Sequence, residues 1–192
     1  MDLSNVKIGF ALTGSFCTIP EVIPQLELIV HAGAKVIPIM SEIVYKTDTR
    51  FGKALELIWR VEDITGGKII HTISDAEPIG PKRMLDILVV APCTGNTLSK
   101  LANGINDSTV TMATKAHLRN LKPVVIAVST NDGLGANAKN LALLHASKNI
   151  YLVPYRQDDH DKKPNSLVAK IDLLIPALSA ALLGEQLQPV LI

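Results

Sequence analysis

The chain has 192 residues, with 19 Lys and Arg against 18 Asp and Glu, a formal net charge of +1. That length fits one domain able to bury a sizeable core, and the near-neutral balance excludes the electrostatic footprint of a nucleic-acid or membrane-surface binder. Apolar residues make up 47% but aromatics only 4%, the aliphatic bias of a parallel sheet covered by helices.

The two cysteines, Cys17 and Cys93, form no CxxC pair, so neither a disulfide framework nor a zinc site is expected. The start, MDLSNVK, lacks the basic and apolar regions of a signal peptide. The longest greasy stretch, residues 173–183, is too short to span a bilayer and contains Pro176. A soluble cytosolic protein is expected.

Residues 6–12 read as a first strand, followed at once by Thr13, Gly14 and Ser15. Thr18 and Glu21 have capping-box spacing, and Pro20 fits a first helical turn. Val22, Leu26 and Ile29 then form one apolar stripe, and Gly33 ends the helix. A strand that feeds Thr-Gly-Ser into a helix N-terminus offers free N–H groups to a phosphate. Neither G-x-G-x-x-G nor the P-loop pattern occurs, so neither standard nucleotide fingerprint applies.

Residues 35–40 read as strand 2, with Ser41 at its carboxyl end. A helix over 50–64 follows, with Ala54, Ile58, Val61 and Ile64 on one face and Trp59 expected in the core or an interface. Gly66 and Gly67 break it before a strand at 68–72 and a loop over 74–83. His71, at that loop's edge, reads as structural rather than catalytic. Residues 87–91 form a buried strand that Pro92 is expected to end, having no N–H for the ladder. The chain turns through Cys93, Thr94 and Gly95, and a helix spans 96–103, capped by Thr94 or Asn96 and stopped by Gly104. Further elements are a helix over 108–121, a strand at 124–129, a polar loop Ser129-Thr130-Asn131-Asp132-Gly133, a helix over 136–147 and a strand at 150–153. The charged run 156–166 reads as a solvated loop. Asn165 or Ser166 would cap a final helix over 167–183, kinked near Pro176.

Alternating strands and helices predict an α/β fold, a Rossmann-like (flavodoxin-like) three-layer sandwich with a central parallel sheet. A single domain over 1–192 is expected, with 154–192 as a C-terminal loop and helix packed on it. Right-handed crossovers gather the loops at 13–17, 41–50, 92–97 and 129–135 at one end of the sheet. Ser15, Ser41, Thr94, Asn96, Ser129 and Asn131 would meet there, a set suited to a phosphorylated, planar, mostly neutral ligand.

Pro92, Thr94, Asn96 and Thr97, then Lys100, Ala102, Gly104 and Asp107, match the signature P-A-S-A-N-T…K-x-A-x-G-x-x-D. Cys93 and Gly95 replace its alanines. The stretch therefore resembles the flavoprotein family of homo-oligomeric, flavin-containing cysteine decarboxylases, over about residues 5–153. The resemblance implies FMN, with its phosphate near Gly14, Ser15 and Ser41 and its ring near the 92–97 loop. It also implies a homo-oligomer. Phe16, Cys93, Thr94, Gly95, Thr97, Ser129 and Asn131 complete the expected cofactor contacts, and no metal is expected. Asn96 is the candidate catalytic residue, because its amide can reach a substrate carboxylate or the flavin edge; its other role would be the helix cap. Cys93 reads either as a reactive thiol at a helix N-terminus or as a small apolar filler. The family's P-x-M-N-x-x-M clamp is missing, with only Asn131 in its place, and no histidine matches the decarboxylase base.

Residues 153–159 (VPYRQDD), 163–169 (KPNSLVA) and the 128–134 loop resemble a narrower branch, the B subunits of the two-chain synthases that make dipicolinate in spore-forming bacteria. That resemblance implies a sporulation role in the mother cell and an A subunit as partner carrying the nicotinamide, NAD(P). It implies oxidation of a dihydrodipicolinate-type dicarboxylate. Two alternatives stay open: a non-catalytic FMN- or phosphate-binding scaffolding subunit, and a flavin-dependent decarboxylase of a cysteine-containing substrate.

Overall fold

The computed structural model describes residues 3–192. In chain order the elements are β1 (Lys7–Leu12), α1 (Ile19–His31), β2 (Lys35–Met40), α2 (Glu42–Lys46), α3 (Ala54–Thr65), α4 (Ile73–Ala76), β3 (Ile87–Cys93), α5 (Gly95–Ala102), α6 (Thr109–Leu118), β4 (Val124–Thr130), α7 (Ala138–His145), β5 (Ile150–Leu152), β6 (Tyr155–Gln157), β7 (Leu167–Ala169) and α8 (Leu174–Leu182). Short 3-10 turns precede β3 (Glu77–Ile79) and α8 (Ile171–Leu173).

The sheet runs β2-β1-β3-β4-β7-β6, with β5 also on β4. β1 to β5 are parallel, as expected from the strand-helix alternation. Every residue of β3 is buried, as befits a strand covered on both faces. Helix α1 packs on β3 and against α8, which lies over β3, β4 and β5. α6 lies over β2 and β3, and α5 sits on β4 while touching both α6 and α7. The result is a mixed α/β sandwich whose core is aliphatic, Phe10 being its one fully buried large aromatic side chain among the described residues.

Several elements differ from the sequence expectation. β3 passes through Pro92 to Cys93, because Pro92 sits where the register with β4 shifts between Val90 and Cys93; an irregular ladder has no N–H to lose there. The Ala91–Pro92 peptide is cis. The expected strand at 68–72 is a single bridge, Ile39 to Ile70. The loops at 41–50 and 74–83 contain α2, α4 and a 3-10 turn. Of the two places expected for Trp59, the core is excluded, since it is 61% exposed. Thr18 precedes α1 in αR geometry and makes no side-chain cap.

The largest departure is at the C-terminal side. The charged run is the loop of a β6–β7 hairpin, and β7 pairs antiparallel with the carboxyl end of β4, Ser129 to Val168 and Thr130 to Leu167. Residues 167–169 therefore form a strand, not the start of a helix, and Ser166 caps nothing: its hydroxyl donates to Thr130 O at 3.2 Å. Pro176 falls in the first turn of α8, where no N–H is needed, so it does not interrupt the helix.

β4 thus shares its outer edge between β5, at its start, and β7, at its end. The outermost strands are covered in turn. Ile70 exchanges hydrogen bonds with Pro38 and Met40 of β2. The Gln186 amide takes the Leu152 N–H and donates to Leu152 O at 2.8 and 2.7 Å, in the manner of a neighbouring strand. The C-terminal Val190 and Ile192 bracket Tyr155 of β6.

Candidate functional site

The carboxyl ends of β1, β3 and β4 open into one cleft of about 870 Å³. Of the residues singled out in the sequence, Gly14, Ser15, Phe16, Thr94, Gly95, Asn96, Ser129 and Asn131 line it. Cys93, Thr97 and Ser41 do not: all three side chains are buried in the protein. Burial pushes the Cys93 thiol well above its ordinary range, the state of an apolar filler rather than a nucleophile.

Small hydroxyls build the floor. Thr13 donates to Pro92 O at 2.7 Å and accepts from Thr94 N–H at 2.9 Å, which ties the end of β1 to the end of β3. Ser15, Thr18 and Ser129 form a triangle of hydroxyls, 2.8, 2.8 and 3.1 Å apart. Thr18, expected to cap α1, instead joins this triangle. The Gly14, Phe16 and Cys17 N–H groups find no acceptor among the described residues.

Thr94 caps α5 by accepting from Thr97 N–H. The cap leaves Asn96 free: its exposed amide makes no hydrogen bond among the described residues and faces the cleft. The signature's second half closes the turn after α5. Lys100 pairs with Asp107 at 2.7 Å, holding that carboxyl below its usual range, and Gly104 takes φ +69°.

One side of the cleft, at Thr130, Asp132 and Asn137, leads into a continuous polar chain that the sequence reading missed. Asp132 accepts from the Thr130 hydroxyl, and from Asn137 Nδ2 at 2.9 and 2.8 Å. These donors hold its carboxyl below the usual carboxylate range, Thr130 first. Asn137 accepts from Asn140 at 2.9 Å, and Asn140 from Asn103 at 3.2 Å. Asn137 and Asn140 are buried, so the chain is a satisfied network and not a surface cluster. The hairpin continues the lining beside this polar chain with Asp158, Lys163, Ser166, Leu167 and Val168. Leu134 N–H to Asn165 O, 3.0 Å, ties it to the 131–137 loop.

His71 stays outside the cleft, stacked on Tyr45 with ring centroids 3.7 Å apart. Among the described residues no group of three or more His, Cys, Asp or Glu is placed to hold a metal, and no helix is long and apolar enough to cross a membrane.

The Flavoprotein family model matches residues 1–172. The chain belongs to the Flavoprotein family. Within it, this flavoprotein-family chain is 52% identical over 190 residues to the dipicolinate synthase B subunit of Bacillus subtilis (strain 168), covering 99% of this chain and 95% of that one. The crystal structure of the dipicolinate synthase B subunit from Bacillus halodurans C superposes with a TM-score of 0.92 at 50% identity, over 100% of this chain and 98% of that one. The FMN complex of Burkholderia xenovorans DmrB shares the fold, with a TM-score of 0.67 at 19% identity over 91% and 94%.

The donors present fit a flavin phosphate. Among the described residues, only Ser41 Oγ and His117 Nδ1 are buried side-chain polar atoms without a partner. Ser41 N–H is bonded to Leu12 O, two residues before Gly14, at 3.0 Å. An unpaired buried hydroxyl costs about 1–3 kcal/mol, a cost a phosphate oxygen would remove. Ser41→Ala is therefore expected to leave the ligand-free chain as stable or about 1 kcal/mol more stable, while weakening FMN binding about tenfold. Melting curves with and without FMN check both signs, and a variant that loses stability without FMN while binding it unchanged would remove Ser41 from the phosphate seat.

Proposed function

We propose that this chain is the flavoprotein-type B subunit of a dipicolinate synthase. It holds FMN in the cleft and acts with a nicotinamide-binding A subunit to oxidise a dihydrodipicolinate-type dicarboxylate to dipicolinate. The observation that carries the reading is the 52% identity to the Bacillus subtilis B subunit across 99% of the chain. The free Gly14, Phe16 and Cys17 N–H groups and the orphaned Ser41 hydroxyl support it as a phosphate seat.

A bound flavin supplies a two-electron acceptor for making the pyridine ring aromatic. The chain's own residues bind and orient. The hydroxyl triangle and the α1 N-terminus hold the phosphate. Asn96 and Asn131, whose amides have no partner among the described residues, present donors and acceptors to the substrate or ring edge. The network behind Gly95 keeps the start of α5, and so Asn96, in one position.

A second reading, a scaffolding subunit with the redox step on the partner, is favoured by one observation. The cleft is lined by no histidine, and of its three acids Asp132 accepts from Thr130 and Asn137 and Asp158 is paired with Lys163. Proton removal then falls to the partner or to Glu21. The decarboxylase reading lacks both a histidine in the cleft and the P-x-M-N-x-x-M clamp.

The test is the visible spectrum of the freshly purified chain, followed by FMN titration read by flavin fluorescence. Saturable binding is expected, and Gly14→Val should lose it by putting bulk where the N–H groups meet the phosphate. No flavin binding even with the partner present would leave the scaffolding reading.

A further inference from the structure

Two cations line the cleft, and they enter from opposite flanks of the sheet. Arg50 follows β2, the strand at one edge; Lys163 belongs to the hairpin beyond β4. Between them lie the loops after β1 and β3, which carry the neutral phosphate donors and Asn96.

Both cations are carried on built turns. Thr49 and Gly52 exchange N–H···O bonds at 3.0 and 3.1 Å, which leaves Arg50 and Phe51 as the tip of a two-residue turn. Thr49 Oγ1 accepts from Phe51 N–H at 3.1 Å, and Asp48 accepts from Ala54 N–H at 2.9 Å, fixing the turn to α3. The Arg50 guanidinium lies over the Phe51 ring, 4.9 Å from its centroid, and makes no hydrogen bond or ion pair among the described residues. A guanidinium held through its face keeps its in-plane donors free, the fork that takes a carboxylate bidentately.

Lys163 donates its backbone N–H to Asp159 O at 2.7 Å, while Asp159 Oδ1 accepts from the N–H groups of Asp161 and Lys162. Its ammonium meets Asp158 at 2.6 Å. That contact uses one of three donors and leaves two.

We propose that Arg50 and Lys163 are the specificity-determining residues of the cleft, each taking one carboxylate of a rigid planar dicarboxylate laid across the loops between them. The inference rests on the cleft being the substrate site of the reading above. Two separated cations suit two fixed carboxylates better than one compact phosphate, for which the neutral donors around Gly14 already provide. Three acids share the lining: Glu21 has no partner among the described residues, Asp132 accepts from Thr130 and Asn137, and Asp158 is paired with Lys163. Glu21 opposes an anion and serves as the internal control.

The experiment is calorimetric titration of the purified chain with pyridine-2,6-dicarboxylate and with pyridine-2-carboxylate, beside a separate FMN titration. Wild type should hold the dicarboxylate about tenfold tighter than the monocarboxylate, each charge-assisted contact being worth about that factor or more. Arg50→Gln and Lys163→Gln, both at exposed positions, should each lose about tenfold on the dicarboxylate, erase its advantage and leave FMN affinity unchanged. Glu21→Gln should strengthen dicarboxylate binding about twofold or more. No dicarboxylate binding by wild type, or unchanged binding in both cation variants, overturns the proposal. So does loss of FMN affinity with dicarboxylate affinity kept, which would make the flavin phosphate the bound anion. Dicarboxylate binding without FMN binding would keep this proposal and sink the flavin assignment.

Discussion

Gly95→Ala is expected to destabilise the chain by about 3 kcal/mol, lowering its melting temperature by about 6–12 °C, and to abolish ligand binding in the cleft. A Cβ at Gly95 would overlap Thr130 Oγ1 and stand 2.7 Å from Asn137 Nδ2 and 2.8 Å from Asp132 Oδ1. None of these atoms can swing away cheaply. Thr130 and Asn137 both donate to the Asp132 carboxylate, and Asn137 is held from behind by Asn140 and Asn103. Relief would break hydrogen bonds to a charged group or push α5 off β4. Gly104→Ala is the comparison: Gly104 has φ +69° but open space around its Cβ position, so only backbone strain of about 1–2 kcal/mol is expected. If thermal melts show Gly95→Ala costing no more than Gly104→Ala, the network is not rigid and does not hold Asn96 in place.

Acidification from pH 6.5 to pH 4 is expected to cost the fold about 3 kcal/mol through one side chain, His117. His117 is 1% exposed on α6, with Nε2 against Pro123 O at 3.1 Å and Nδ1 without a partner. Burial lowers its pKa from 6.5 to about 4. Between those values the unfolded chain binds a proton that the folded chain refuses. Stability is therefore full above pH 6.5, falls as pH drops, and levels off below about 4 for this group. Carboxylates held low, such as Asp132 and Asp107, act in the same direction but lower in pH, through and below the ordinary carboxylate range. His145, whose pKa is also lowered by burial, adds to the slope inside the window. His117→Met should flatten most of that slope without stranding Pro123 O, which also accepts from Leu88 N–H at 3.1 Å. Urea midpoints against pH for the two proteins decide it; equal slopes would exonerate His117.

The parallel half of the fold was legible because its strands are aliphatic runs closed by turn residues, and because Pro20 and Gly104 punctuate helices where their chemistry allows. Five of the six hydroxyl and amide residues expected at the crevice line the cleft, since loops after parallel strands share one end of the sheet; Ser41 does not, its side chain being buried. The hairpin did not show, for a physical reason. β6 and β7 are three residues each, too short for a period of two to stand apart from a helical stripe, and β7 finds its partner on β4, 37 positions earlier at Thr130 and Leu167. With the hairpin went Asp158 and Lys163, which in sequence are two charges in a charged run. Arg50 carried no signal, because nothing local says that a turn tip faces a cleft. Asp132, Asn137 and Asn140 read as turn formers and a helix start; only the folded chain shows Asn137 and Asn140 buried, with Asp132 and Asn137 against Gly95.

The cover along the sheet margins limits how a second protein can dock. Strand addition, in which a partner extends a sheet by pairing with its outermost strand, needs a row of unpaired backbone groups. Here that row is interrupted three times: by Ile70 along β2, by the Gln186 amide along β5 and by the chain's own last residues along β6. Strand addition at these margins would have to displace that cover, which favours contact through side chains. Recognition of that kind is set by shape and charge and can be retuned one surface residue at a time, with the sheet left untouched.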